Sequence, residues 1–464
     1  MNCNSAIPSI RRLTLPERLL AGFILLVAAS CANAAVEQET QFVFNTFSFL
    51  IWGALVMWMC AGFTMLESGS VRTKNASVIC LKNIGLYSIA GLMYYFVGYN
   101  LMYTDVSGWI GSFTLLYGPS AEELALLSGD EEAKAAVIEN GYSVMSDWFF
   151  QMVFVATTAS IISGTMAERV KLWSFFIFTI FLAAIIYPLV GAWTWGGGWL
   201  NEMGFQDFAG STIVHSTGGW AALAGALIIG PRLGKFRADG SVKSTPPSNI
   251  PIVTLGVFIL WLGWFGFNGG SQLALGGAAD AVAMSNVLVN TNLAAAAGVM
   301  AAISVSRPVL GRVDLLAGLN GAIAGLVSIT AGPDIVAHYW AVIIGFVGGV
   351  ICVVGMKLLE SWKVDDVVGA VPAHLFAGVW GTLAVCIAAG GNFMVQLTGV
   401  LAVGVFVFLA SLLLWYAIEK TVGVRVSAAV EEVGQDSAEL GIESYPEFVL
   451  MPDTEDIEHL RTED

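Results

Sequence analysis

An all-α, polytopic membrane protein is what this sequence predicts, on three observations. Of its 464 residues 56% are hydrophobic and only 12% charged, about half the roughly 25% charged share of a soluble domain. The apolar residues gather into runs of about 20, the length that crosses ~30 Å of hydrocarbon as a helix. The basic residues fall almost wholly in alternate connections between those runs. Together these features exclude a nucleic-acid-binding module, a disulfide-stapled secreted domain and a disordered scaffold.

The elements follow in chain order. Arg11, Arg12 and Arg18 precede an apolar stretch from Leu19 to Ala29 and then Ala32-Asn33-Ala34. A basic region, a short apolar core and an A-x-A site read as a secretory signal peptide over residues 1–34, with an uncleaved extra helix as the alternative. Eleven apolar spans follow, near 42–66, 83–103, 148–167, 173–194, 208–230, 251–272, 284–304, 314–332, 338–358, 367–388 and 396–418. If the mature chain starts outside, the inner connections hold Arg72 and Lys74, Arg169 and Lys171, Arg232 to Lys243, Arg307 and Arg312, Lys357 and Lys363, whereas the outer ones hold Lys134. That asymmetry obeys the positive-inside rule and sets the N-terminus outside and the tail inside. The predicted organisation is a leader over 1–34, a transmembrane domain over 35–426 and an acidic cytoplasmic tail over 427–464.

The formal charge of −15 is local. Residues 427–464 carry twelve acids against Arg461, and residues 104–147 carry eight against Lys134. Both segments read as solvated, so the charge says little about a ligand. The cysteines lack metal-ligand spacing and read as small hydrophobes.

Of four histidines, His338 lies at an outer loop edge and His459 in the tail, which leaves His215 and His374 inside spans. Their surroundings match. Asp207-Phe-Ala-Gly210 leads to His215, and Asp366-Val-Val-Gly369 leads to His374, so both read D-x-x-G-x-x-x-x-H. Each continues to a glycine four residues on (Gly219, Gly378) and then a tryptophan (Trp220, Trp380). One copy opens the fifth span and the other the tenth, from opposite faces, as in transporters built from two inverted five-helix repeats with a site at the midplane. Each histidine lies about 12 Å past its aspartate along a helix, so the two imidazoles should meet in mid-membrane. Three readings of such a pair stand: polar residues satisfied between helices, two axial ligands of a haem, or a dyad lining a pathway. Close-packing glycine and alanine around the spans disfavour a haem cleft. Asp207 and Asp366 sit at helix starts, where a carboxylate caps free N–H groups. Asp207 has cation attraction as its second reading.

At these residues the sequence resembles the ammonium transporter (Amt/Mep/Rh) family, in its bacterial Amt form. D-F-A-G-S-x-x-x-H at 207–215, W-G-G-G at 195–198, G-W-F-G-F-N-x-G-S at 263–271 and V-D-D with His374 beyond it carry the resemblance, which spans about residues 42–445. It implies a homotrimer in the bacterial cytoplasmic (inner) membrane, with eleven helices and one pore per subunit. By resemblance, an outer site for ammonium falls on Phe154, Trp195 and Ser271, with Phe150 and Trp264 beside it. The gate falls on Phe154 and Phe267, and the pore on His215 and His374. No cofactor and no enzymatic step are implied, and no catalytic domain follows the last span. The segment Gly423 to Tyr445 is similar to a regulatory tail that helps a PII-type protein plug the inner mouths. One departure stands out: many members carry a third aspartate where this chain has Gly369. The rival functions are a sensor that binds ammonium without passing it and a haem redox protein.

Overall fold

The computed structural model describes residues 14–446, with side chains described except over 16–37. The leader's Arg11, Arg12, Arg18 and Ala34 lie outside those described side chains, as does the tail from Glu447 onward. Helices occupy every predicted run: α1 Leu15–Ser70, α2 Thr73–Tyr103, α3 Val144–Thr165, α4 Leu172–Glu202, α5 Ser211–Ile229, α6 Ile250–Gly270, α7 Ala278–Leu310, α8 Leu315–Ile329, α9 His338–Ser361, α10 Val371–Ala389 and α11 Phe393–Thr421. Among the described residues ten are long and apolar enough to cross a membrane, and there is no β-strand.

The exception is α8, which has 15 residues. At 1.5 Å per residue it reaches only about 22 Å. Twelve of its residues, from Ala317 to its C-terminal end at Ile329, are buried, so most of its length meets protein, and a short helix is tolerated there. It packs with α7 and α9 through three pairs of small residues spaced four apart: Ala294 and Gly298, Gly321 and Gly325, Gly345 and Gly349. A Cβ on Gly298 would lie 2.2 Å from the Gly321 carbonyl oxygen, and one on Gly349 would lie 2.3 Å from that of Gly298. Small residues at this spacing let helix backbones approach, which is where packing energy comes from when lipid is the solvent.

Helices α5 and α10 cross antiparallel at the centre. Gly219 of α5 lies against the backbone of Leu375, with a Cβ there only 2.8 Å from Leu375 N. Gly378 of α10 lies against Ser211 and Ser216, and Thr212 Oγ1 pairs with Thr382 Oγ1 at 2.6 Å. As the number rises on one helix its partner's falls, which is the geometry of an inverted repeat. Each helix opens with a π-helical turn, Ser211–Ser216 and Val371–Phe376. Such turns are rare and concentrate at functional sites. Here each turn carries a histidine.

A lattice of buried ions ties the connections together at the end where the tail lies. Arg232 makes a two-pronged contact with Asp365, Nε to Oδ2 at 2.8 Å and Nη2 to Oδ1 at 2.9 Å, and its Nη1 lies 3.4 Å from Glu168. Arg72 donates to the same Glu168, and the fully buried Arg169 donates to the carbonyls of Asp365 and Gly230. Four loops are thereby joined.

The two acidic segments are less solvated than their charge predicts, because key carboxylates cap backbone. Asp436 accepts from Ser77 N and Val78 N, both at 2.8 Å, at the start of the first α-helical turn of α2. Glu431 accepts from Leu233 N and Arg425, and Gln435 donates to the Val170 carbonyl. Tyr445 packs with Val71, Ala76, Ile79 and Ala167. The tail is therefore docked along the loops of its own subunit. In the 104–147 segment Glu123 accepts from Val144 N, and Asp147 accepts from Tyr99 Oη and Gln151.

Two expectations follow for stability. Arg232→Ala strands a buried carboxylate and should cost about 3–5 kcal/mol; Arg232→Ala with Asp365→Ala should cost less, read as thermal unfolding in detergent. Burial opposes ionisation of Asp365, yet the Arg232 hydrogen bonds and charge prevail and hold its carboxyl well below the usual range. A depressed carboxyl stabilises above its unfolded value, about 3.9, and loses that contribution as pH falls toward the folded one. Melting temperature should thus decline below about pH 4, and less steeply in Asp365→Asn.

Candidate functional site

The site is a column of rings running from the broken C-terminal part of α4, at Trp195, to the vestibule at the tail. Trp195 is half-buried and its indole N–H donates to the Asp207 carbonyl at 2.9 Å, which fixes the ring. Phe154 meets Trp195 edge-on, with centroids 6.0 Å apart, and Phe150 lies 4.9 Å from Phe154 on the same helix. Ser271, at the end of α6, donates its hydroxyl to the Phe267 carbonyl at 2.8 Å. Its oxygen lone pairs are left to accept from another donor.

Beneath them Phe154 and Phe267 stack, 4.1 Å between centroids and 30° between planes. Both are buried, so the pair closes the column. Below that, His215 stacks on Trp264 at 4.9 Å and 19° and lies 5.2 Å from Phe267. Trp264 is itself fixed by a 2.9 Å bond from its indole N–H to Thr330 Oγ1.

His215 and His374 meet directly. Their Nδ1 atoms are 3.2 Å apart and their rings 5.2 Å between centroids. At that separation one Nδ1 carries hydrogen and the other accepts it. The contact leaves no gap between the rings for a haem. His215 Nε2 is buried with no protein partner, and Phe63 of α1 covers His374 at 6.4 Å.

Why these two rings face each other follows from local sequence. Asp207 Oδ1 accepts from Gly210 N and Ser211 N, and Oδ2 from Thr212 N and Ile213 N, at 2.8 to 3.2 Å. One carboxylate satisfies four amides that open α5. Burial pushes this carboxyl up to about 6, against the opposing pull of those four N–H groups. Asp366 does a smaller version for α10, accepting from Val371 N at 2.8 Å and Thr165 Oγ1 at 3.0 Å. The glycine in each D-x-x-G has positive φ, +105° at Gly210 and +78° at Gly369, a region that suits glycine. A side chain at 369 would be strained and would press Asn320 at 3.1 Å from its Cβ.

Of the sequence-predicted residues, Phe150, Phe154, Trp195, Ser271, Phe267, Trp264, His215 and His374 form this one column, and Asp207 supports it from behind. Asp366 does not join them. It lines the vestibule at the opposite end, a cavity of about 370 Å³ that also includes Arg232, Lys235, Asn320 and Gly369. Sequence reasoning missed Thr330, Asn320 and the ion pair Glu67–Lys82. The last two carry a visible signal, being charges beside apolar spans, but each falls where a span was ended.

Comparison with known proteins adds the following. A model described as the Ammonium Transporter Family matches residues 47–445. The ammonium transporter Amt2 of Archaeoglobus fulgidus is 38% identical, over 92% of this chain and 94% of its own. A putative ammonium transporter of Synechocystis is 37% identical, over 91% and 94%. Among solved structures, one named "Sensor Amt Protein" aligns with TM-score 0.78 and 35% identity, over 86% of this chain and 99% of that one. Candida albicans Mep2 aligns with TM-score 0.72 and 26% identity, over 84% and 88%.

Asp207→Asn keeps one carbonyl oxygen for four amides, so at least one loses its acceptor. It should lower the melting temperature by several degrees, at about 1–3 kcal/mol per stranded amide, as measured by thermal unfolding of the purified protein.

Proposed function

The chain belongs to the ammonium transporter family, and from that premise we propose that it recruits ammonium at Trp195, Phe154 and Ser271, removes a proton, and conducts ammonia past His215 and His374. One observation carries the reading: two imidazoles in direct contact, buried below a stacked phenylalanine pair. A small cation has no shape to grip, but aromatic faces attract it by about 0.5–2 kcal/mol. The Ser271 oxygen takes one of the N–H bonds that water gave up.

Past the gate the balance reverses. Carrying an intact ion into a dry apolar column costs tens of kcal/mol in the Born limit, far beyond any aromatic gain. Desolvation also lowers the pKa of the ammonium ion itself and favours the neutral form. Ammonia is neutral, small, and both donates and accepts hydrogen bonds, so Phe154 and Phe267 need only swing aside for it. The bare Nε2 of His215 and the paired Nδ1 atoms then give it polar company through the narrowest part.

The wider reading follows. In it residues 1–34 are a signal peptide, eleven helices cross a bacterial inner membrane from an N-terminus outside, and the tail lies in the cytoplasm. The gathering of Arg72, Arg169 and Arg232 with the tail supports that sense. The assembly is a homotrimer, and the docked tail of each subunit is the surface a PII-type protein would meet. A sensor that binds ammonium without passing it is the second reading, favoured by the similarity to the structure named a sensor.

Current recorded from protein in a solid-supported membrane after an ammonium pulse tests the reading together with ammonium-dependent growth. His215→Ala with His374→Ala should abolish both; normal uptake in that double variant would remove the pathway. Trp195→Leu should raise the concentration for half-maximal uptake by about 2- to 30-fold, the equivalent of the aromatic term, with little change at saturation. A wild-type protein that binds ammonium yet passes neither charge nor ammonia would establish the sensor.

A further inference from the structure

One ionisable pair beside the column has no part in the pathway so far. Glu67 of α1 and Lys82 of α2 are buried at 1% and 3% exposure. Glu67 Oε2 accepts from Ser163 Oγ at 2.6 Å and lies 3.7 Å from Lys82 Nζ, which donates to the Ser163 carbonyl at 2.8 Å. The other oxygen, Oε1, is buried and accepts from no protein group. Glu67 lines a small cavity with Phe63, Asn320 and His374, and neither His215 nor Phe267 is part of that lining. Leu66, Asn320 and Val368 line both this cavity and the vestibule, so the two adjoin.

Neutralising Lys82 would account for a carboxylate here, but not for an open oxygen on a residue that shares a cavity with a histidine. A buried ion pair adds little stability over apolar residues of the same size, and ionisable groups at membrane depth mark pathways. His374 spends Nδ1 on His215, so Nε2 is its remaining site for passing a proton onward. We propose that Glu67 is the proton acceptor on the inner side of the twin histidines, with Lys82 holding its carboxylate ionised between turnovers.

The protons balance, given the transport reading on which this rests. Ammonium yields a proton to the imidazole pair and becomes ammonia. His374, then cationic, gives a proton to Glu67, whose carboxylate becomes a neutral acid. Ammonia arriving in the inner cavity takes that proton, ammonium leaves by the vestibule, and the carboxylate is restored. Only N–H and O–H bonds change, and one positive charge crosses per turnover.

The test compares two readouts on reconstituted full-length protein: ammonium-evoked current, and the rise of internal pH as ammonia enters. Wild-type protein, which delivers ammonia together with its proton, should give current with little pH rise; Glu67→Gln should cut current by about tenfold or more and make a protein-dependent pH rise appear, because ammonia then enters without its proton. Glu67→Gln with Lys82→Met, which leaves no unpaired charge, should show the same split and carries the test if the single variant does not accumulate. Undiminished current in either variant overturns the proposal. So does recovery of current in the double variant, which would make Glu67 only a counter-ion, or loss of current with no pH rise gained in an intact assembly. Wild-type protein that passes ammonia without current overturns the proposal and keeps transport, whereas wild-type protein that passes neither sinks transport itself.

Discussion

Everything in this molecule is arranged around one close antiparallel crossing. Two helices enter from opposite ends, each loosened by a π turn, and each lays a glycine on the other's backbone beside the partner's histidine or its neighbour. A side chain at Gly219 or Gly378 would hold the helices apart, and the imidazoles could not touch. The aspartates that open the helices anchor amides at the two ends, so position is set at both ends and the middle. The surrounding helices supply a dry jacket and rings that lean on the pair.

The two ends of the column differ in chemistry. The Trp195 end is aromatic, built from Trp195, Phe154 and Phe150 with the Ser271 hydroxyl, which suits transient capture of a small cation. The tail end is ionic, with Arg232, Asp365, Glu168 and Arg72 forming a lattice that the docked tail extends through Glu431 and Arg425. Such a lattice stiffens the loops around the vestibule. The asymmetry between a soft aromatic end and a braced ionic end arises although the two halves are built on the same nine-residue signature.

Much of this was legible in the sequence because membrane physics is severe. Backbone groups in lipid must bond internally, so runs of apolar residues had few outcomes, and all eleven are helical. The paired D-x-x-G-x-x-x-x-H signatures pointed to a meeting of His215 with His374 because helix rise is fixed, and 1.5 Å per residue turns spacing into depth. What stayed hidden shares one cause. Glu67 and Lys82 sit at span edges, where a charge reads as the end of hydrocarbon, and only three-dimensional packing shows each covered by neighbouring helices. The acidic tail looked solvated for a similar reason: composition counts charges, but it cannot see that Asp436 and Glu431 spend theirs on backbone amides. The shortness of α8 also needed its neighbours, since burial by protein relieved it of spanning lipid.

The nitrogen-to-nitrogen contact between the imidazoles has a further property, that of polarity. Because the pair shares a single hydrogen between its Nδ1 atoms, a proton entering at one ring and leaving at the other reverses which ring is donor. The next proton then finds its doorway already occupied. Ring rotation would undo this, but His215 is clamped flat on Trp264. A neutral amine moving alongside, able to give one hydrogen and take another, rewinds the pair without turning either ring. Under the proposed transport, cargo and charge then keep step through tautomers, with neither imidazole turning.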